Sequence, residues 1–125
     1  MEFRENEAIY MQIAAYVTEN VMLDEWLPEQ KLPSVRELAA ELQVNPLTVV
    51  RAYEFLQGRQ VIANKRGIGF FITSDARQKI KHYRKERFLT QELPELFKSM
   101  YMLELSVEEI GERYEIFKKQ HYQTK

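Results

Sequence analysis

Two signals for the start of a helix follow each other closely in the first half of this chain, and they limit its fold more than any other feature. Ser34 is followed three residues later by Glu37, the spacing of a capping box in which two residues exchange hydrogen bonds. Asn45 and Pro46 suit an N-cap and a first helical position. The sequence therefore predicts a helix that begins at Ser34 and a second helix that begins at Pro46.

Apolar residues at helical spacing indicate which side of each helix is buried. On the first helix this side comprises Val35, Leu38, Ala39 and Leu42, and on the second it comprises Val49, Ala52, Tyr53 and Leu56. Leu47, Thr48 and Arg51 fall on the opposite side of the second helix, which we expect to end at Gly58. Two short helices joined by a three-residue turn form a helix-turn-helix.

The segments around this motif complete a small domain. β-Rich runs at 61–63 and 70–73 flank the glycines of a hairpin tip, so the sequence predicts a wing after the second helix. Before the motif, 7–23 predicts an amphipathic helix with Ile9, Ile13, Val17 and Val21 towards the core. A loop follows at 24–29, and we expect Trp26 and Leu27 to anchor it. The predicted fold of residues 1–74 is a winged helix-turn-helix.

Ordered motifs over residues 8 to 73 resemble one known family. They are LPSVRELA at 32–39, NP at 45–46, TV at 48–49, RAY at 51–53 and RGIGFF at 66–71. Together they resemble the DNA-binding domain of GntR-family bacterial transcription regulators, and the short helical remainder resembles the YtrA-like branch. The resemblance implies a homodimeric, sequence-specific regulator of double-stranded DNA, a repressor that occupies an inverted-repeat operator, and the branch implies control of a transporter operon. It also leads us to expect glycines near Asp24 and Glu29, which this sequence lacks.

The second helix of such a motif lies in the major groove with its N-terminal residues at base edges. Arg51 is the candidate for a bidentate contact with guanine, although it can instead pair with Glu54 or Glu41 on the surface. Thr48 can offer its methyl group to thymine or its hydroxyl to phosphate. By resemblance, Arg36 takes the DNA-contacting role of the arginine in the family motif. The predicted DNA-binding residues, including the wing tip near the minor groove, are Ser34, Arg36, Asn45, Leu47, Thr48, Arg51, Lys65, Arg66 and Gly67.

The distribution of charge supports this interpretation better than the net charge of −1. Residues 1–29 carry one base against seven acids. Between residues 30 and 70, six bases stand against three acids, so positive charge gathers on the unit that would contact phosphates.

Residues 75–125 predict a helical dimerisation region. Thr73 or Ser74 can cap a helix that begins with Asp75. The many basic residues of this helix either form a solvated face or add contacts to phosphates. Pro94 predicts a kink or break near 91–93, and Ser106 with Glu109 predicts a second capping box. An antiparallel hairpin of the last two helices would leave an apolar stripe that a second copy can cover. The predicted interface residues are Phe88, Leu93, Leu96, Phe97, Met100, Tyr101, Ile110, Tyr114 and Phe117.

The composition gives little basis for catalysis, a cofactor or a metal site. The chain has no cysteine, and its histidines and aspartates lack the spacing of ligands or of a catalytic triad. We therefore expect no enzyme activity. The N-terminus does not resemble a signal peptide, and no apolar run approaches the ~20 residues of a membrane helix, so we expect a cytoplasmic protein without membrane contact.

Two other functions stay open from the sequence. A winged helix can serve as a protein-interaction module that does not read DNA. The chain can also be a homodimer that senses an unidentified small-molecule effector, in a groove lined by Phe97, Tyr101 or Tyr114 between the two copies.

Overall fold

A computed structural model of the chain describes residues 1–5 and 7–123, and it forms two compact units, 1–84 and 85–125. The first unit contains α1 (Ile9–Met22), α2 (Val35–Leu42), α3 (Pro46–Gly58), β1 (Ile62–Lys65), β2 (Gly69–Ile72) and most of α4 (Ala76–Arg87). The second contains a π-helical segment (Phe88–Glu92), α5 (Leu93–Leu103) and α6 (Val107–His121). This mainly helical architecture with one small β-hairpin confirms the predicted fold class.

Both predicted helix starts are present and satisfy backbone donors that a helix leaves unpaired. The Oγ of Ser34 accepts from the Glu37 amide at 3.1 Å, and the Oε1 of Glu37 accepts from the Ser34 amide at 2.9 Å. The Oδ1 of Asn45 accepts from the Leu47 amide at 2.8 Å. Between the two helices, Gln43 adopts the left-handed conformation with φ 58°, so the chain changes direction within the three-residue turn.

The core of the first unit lies between α1 and α3, with α2 packed against α3. Ile13, Val17 and Val21 of α1 are buried as predicted, whereas Ile9 at the first helical position is 43% exposed. All four residues of the predicted buried side of α3 are buried, namely Val49, Ala52, Tyr53 and Leu56. One side of α3 is therefore fixed in the core, and its opposite side faces outwards.

The loop between α1 and α2 holds two residues in the left-handed conformation, Asp24 with φ 62° and Glu29 with φ 67°. These are the positions at which the family resemblance leads one to expect glycine. Trp26 packs against the core and meets the Tyr16 ring edge-on, with centroids 5.9 Å apart. Leu27 was also expected to anchor the loop, but it is 52% exposed. Both positions thus adopt the left-handed conformation without glycine, and Trp26 alone of the two expected anchors packs on the core.

The wing is an antiparallel hairpin in which Ile62 pairs with Ile72 and Lys65 with Gly69. The outer edge of β2 also bonds to the loop before α2, because the Leu32 amide donates to the Phe70 carbonyl at 2.8 Å. The same loop also accepts a hydrogen bond from β2, because the Ile72 amide donates to the Gln30 carbonyl at 3.0 Å. The hairpin is therefore held on both sides of β2, which limits how far the wing can move.

The first turns of α4 belong to the first unit, since Ala76 and Ile80 are fully buried in its core. The helix begins at Ala76, one residue later than predicted. The Thr73 hydroxyl shares its single proton between the carbonyls of Gln60 and Val61, at 2.9 and 3.1 Å, and so joins the segment between α3 and β1 to the end of β2.

In the second unit, the helix does not stop at Pro94. Residues Phe88–Glu92 widen into a π-helical segment, and α5 then begins at Leu93 with the proline in its first turn. The predicted interruption near 91–93 therefore takes the form of a π-helical segment. The predicted N-cap of α6 is present, because the Ser106 Oγ accepts from the Glu109 amide at 3.1 Å. A short turn joins α5 and α6. Because Met100 is the buried residue of α5 and no residue of α6 is buried, most of the apolar surface of the two helices is uncovered.

Among the described residues, no helix combines the length and the apolar character needed to cross a lipid bilayer.

Candidate nucleic-acid interface

The outward side of α3 begins with an apolar residue. Leu47 is 71% exposed, Thr48 is half-buried at its flank, and Arg51 is exposed one turn later. Glu54 continues the same side after Arg51 and is also exposed. Because a carboxylate disfavours the approach of phosphates, the N-terminal half of α3 is the half suited to face a nucleic acid.

Arg51 stacks on an aromatic ring of another helix. Its guanidinium carbon lies 4.1 Å from the centroid of the Tyr10 ring in α1, a cation–π geometry. Among the described residues this stacking takes the place of the alternative ion pair with Glu54 or Glu41. Stacking occupies one flat face of the guanidinium and leaves its N–H edge available for a bidentate hydrogen bond. The geometry is therefore compatible with base reading by a pre-ordered arginine.

Arg36 and the start of α3 share one surface depression. This open depression lies between α2 and the turn, and its lining residues are Arg36, Ala39, Ala40, Gln43, Val44 and Pro46. Ser34, Arg36 and Asn45 are all exposed, although Ser34 and Asn45 already use their side-chain oxygens as helix caps. Arg36 is thus the residue of this surface whose side chain is best suited to reach a phosphate.

The wing tip presents two cations on a tight turn. The Ile68 amide donates to the Lys65 carbonyl at 2.9 Å, and Gly67 at the third position of this turn has φ 80°. A type II turn requires positive φ at that position, which accounts for the glycine. Lys65 and Arg66 are exposed, and the Lys65 Nζ lies 4.3 Å from the centroid of the Phe71 ring. The tip therefore offers a bare backbone beside two positive charges.

Tyr53, on the buried side of α3, contacts both the start of α2 and the wing. Its hydroxyl donates to the Pro33 carbonyl, at 2.8 Å, immediately before α2. Its ring meets Phe70 of the wing with centroids 5.0 Å apart. Burial, and after it the carboxylates of Glu37 and Glu41, raise the pKa of Tyr53 above its ordinary value, so the hydroxyl stays a donor. One buried side chain of α3 thereby positions both α2 and the wing relative to the outward side of α3.

Three residues of this region were missed by the reasoning from sequence. Tyr10 was not singled out, since nothing in its local pattern shows that it meets Arg51. Val50 is half-buried at the flank of the outward side of α3, three residues after Leu47, where helical spacing alone could have placed it. Lys31 pairs with Phe71 in an isolated bridge and adds a cation beside the wing.

The candidate dimer surface of the second unit is mostly uncovered in the single chain. Phe88, Leu96, Phe97, Tyr101, Tyr114 and Phe117 are exposed, and Leu93 and Ile110 are half-buried. Met100 differs from the rest of the predicted interface, because it is only 6% exposed and its side chain is covered within its own chain. Met100 is therefore the member of the predicted interface that the single chain already covers.

Comparison with known proteins places these features in a family. The sequence pattern described as "Bacterial regulatory proteins, gntR family" matches residues 9–72. The chain is 34% identical to the uncharacterized HTH-type transcriptional regulator YhcF of Bacillus subtilis, over 93% of this chain and 94% of YhcF. It is 39% identical to the HTH-type transcriptional repressor YtrA of Bacillus subtilis, over 59% of this chain and 57% of YtrA.

A solved structure shows the same fold along nearly the whole chain. The GntR-family transcriptional regulator from Bacteroides thetaiotaomicron superposes with a TM-score of 0.72 at 43% sequence identity, covering 91% of this chain and all of the other. The predicted resemblance to GntR-family regulators of the YtrA-like branch is thereby confirmed. The relatives are named as transcriptional regulators, not as enzymes. This chain belongs to the GntR family of bacterial transcriptional regulators and carries that family's winged helix-turn-helix DNA-binding domain.

Proposed function

We propose that the protein is a homodimeric transcriptional repressor that occupies an inverted-repeat operator. One observation carries the DNA-reading part. The inner side of α3 is fixed by Val49, Ala52, Tyr53 and Leu56, while its outer side presents exposed residues between Arg36 and the wing. A helix held so firmly along one side can enter a major groove without leaving the core.

The homodimer is supported by the uncovered apolar residues of α5 and α6. Two such helices in one copy bury almost none of their own apolar side chains, and a two-fold partner would cover them. A two-fold protein reads two half-sites whose centres lie about one helical turn, ~34 Å, or a multiple of it apart. The operator is therefore proposed to be an inverted repeat.

The sign of regulation is proposed from the relative named as a repressor, YtrA of Bacillus subtilis. A dimer that covers promoter DNA blocks access of RNA polymerase. Transcription in vitro from a promoter that carries the selected duplex should therefore fall as protein is added. Increased transcription would identify an activator instead.

Selection from random duplex DNA with the full chain tests the proposal most directly. We expect recovered sequences to share an inverted repeat. We also expect the logarithm of the binding constant to fall linearly with the logarithm of the salt concentration. Arg36→Glu and Arg51→Glu should each abolish this binding. Lys119→Glu makes the same charge change on the side of α6 opposite Ile110, Tyr114 and Phe117, and it should bind as the wild type does.

The alternative function, a winged-helix module that binds protein and not DNA, makes the opposite prediction. It requires that no duplex be enriched and that Arg36→Glu and Arg51→Glu leave any residual DNA binding unchanged. Enrichment of sequences without two-fold symmetry would contradict the dimeric operator while keeping the DNA-reading function.

A further inference from the structure

We propose that Leu47 and Val50 form an apolar reading surface that recognises the methyl groups of thymine in each half-site. This inference rests on the proposed DNA-reading function of α3 and specifies what that helix reads. Leu47 is the second residue of α3 and is 71% exposed. Val50 follows three residues later and is half-buried, but it does not belong to the hydrophobic core or to the side chains packed against it.

Helical geometry brings these two side chains together on the outward side. Residues three apart on a helix have Cβ atoms about 5–6 Å from each other, on the same side. Arg51 lies next to Val50 on this side, and its guanidinium is drawn towards Tyr10 of α1 by the stacking described above. The apolar pair therefore occupies the leading part of α3, and the ordered arginine lies beside it.

The chemistry of the major groove leaves one partner for such a pair. Leucine and valine side chains neither donate nor accept hydrogen bonds, so the donor and acceptor atoms of the base edges offer them nothing. The C5 methyl group of thymine is the apolar feature of the major-groove edge. A leucine exposed to water at this position gains free energy on DNA binding when it covers such a methyl group.

Replacement of thymine by deoxyuridine tests the inference, because it removes the methyl group and leaves every hydrogen-bonding atom in place. A duplex is first selected from random DNA with the wild-type chain. Each thymine is then replaced in turn, and affinity is measured by fluorescence anisotropy. We expect one or two positions per half-site at which deoxyuridine weakens binding about fourfold per methyl group.

Variants of the protein assign the effect to these residues. In Leu47→Ala and Val50→Ala, affinity for the thymine duplex should fall, and the penalty for deoxyuridine at the matching position should disappear. Leu47→Met keeps an apolar side chain of similar volume and should keep the penalty. Leu27→Ala removes the same atoms from an exposed leucine in the loop before α2 and should change neither affinity nor thymine preference.

The outcomes separate this inference from the function on which it rests. If duplexes are selected but no position responds to deoxyuridine, the inference is overturned and the DNA-reading function stands. The same holds if the response persists unchanged in Leu47→Ala and Val50→Ala. If no duplex is selected at all, the DNA-reading function fails and the inference fails with it. Unchanged thermal unfolding of the variants excludes misfolding as the cause of lost binding.

Discussion

The guanidinium of Arg51 stacks on the ring of Tyr10, with 4.1 Å between the guanidinium carbon and the ring centroid. The two residues belong to α3 and α1, so the first helix of the domain orders the side chain that we propose to read a base. An arginine held in one orientation loses less conformational entropy on binding than a free one. Tyr10 is therefore expected to act as a positioning residue.

Tyr10→Leu should weaken binding to the selected duplex by about 0.5–1.5 kcal/mol, or roughly two- to twelvefold, because Arg51 loses its aromatic support. Tyr10→Phe keeps the ring and should bind nearly as the wild type does. In an Arg51→Ala background, Tyr10→Leu should cost little further affinity. Fluorescence anisotropy measures the affinities of the wild type and of the four variants. Equal losses in Tyr10→Phe and Tyr10→Leu would show that the ring is not what matters.

Tyr53→Phe should lower the free energy of unfolding at neutral pH by about 1 kcal/mol, because it removes the hydrogen bond to the Pro33 carbonyl. The pKa of Tyr53 is raised in the folded state, so the folded chain holds a proton that an unfolded tyrosine releases above about pH 10. The free energy of unfolding of the wild type therefore falls as the pH rises above about 10, and Tyr53→Phe lacks this contribution. Urea unfolding should show a constant gap between the two proteins up to about pH 9 and a gap that narrows as the pH rises past about 10. A gap that stays constant would contradict this account.

Glu29→Gly should stabilise the first unit by about 0.5–1 kcal/mol, because Glu29 has φ 67° and glycine adopts that conformation without the penalty of a Cβ atom. Glu25→Gly is the matched control in the same loop, at a position outside the left-handed region, and it should be neutral or destabilising. Thermal unfolding compares the two variants with the wild type. Loss of stability in Glu29→Gly would mean that the side chain contributes more than its backbone conformation costs.

Phe97→Asp should shift the protein from dimer to monomer and weaken operator binding, since it places a charge on the uncovered apolar side of α5. Ser99→Asp adds the same charge two residues later, on the opposite side of that helix, and should leave both properties unchanged. Analytical ultracentrifugation gives the oligomeric state. A wild-type chain that is already monomeric at micromolar concentration and binds the full operator would contradict the proposed dimer.

The sequence alone determined the features that depend on neighbouring residues. The capping box at Ser34, the N-cap at Asn45 and the buried side of α3 all follow from spacing within one or two helical turns, and all are confirmed. The hairpin and its glycine turn also follow from neighbouring residues, because the turn type requires positive φ at Gly67. The family followed as well, since its motifs are made of these same local signals.

Tertiary structure decided what depends on residues distant in the chain. The stacking of Arg51 on Tyr10, and the position of Tyr53 between Pro33 and Phe70, arise only when separate elements pack together. The burial of Ala76 and Ile80 likewise assigns the start of α4 to the first unit, although periodicity cannot say which core a helix joins. Short-range hydrogen bonds and backbone preferences are properties of the local sequence, whereas contacts between elements depend on how the whole chain fills its core.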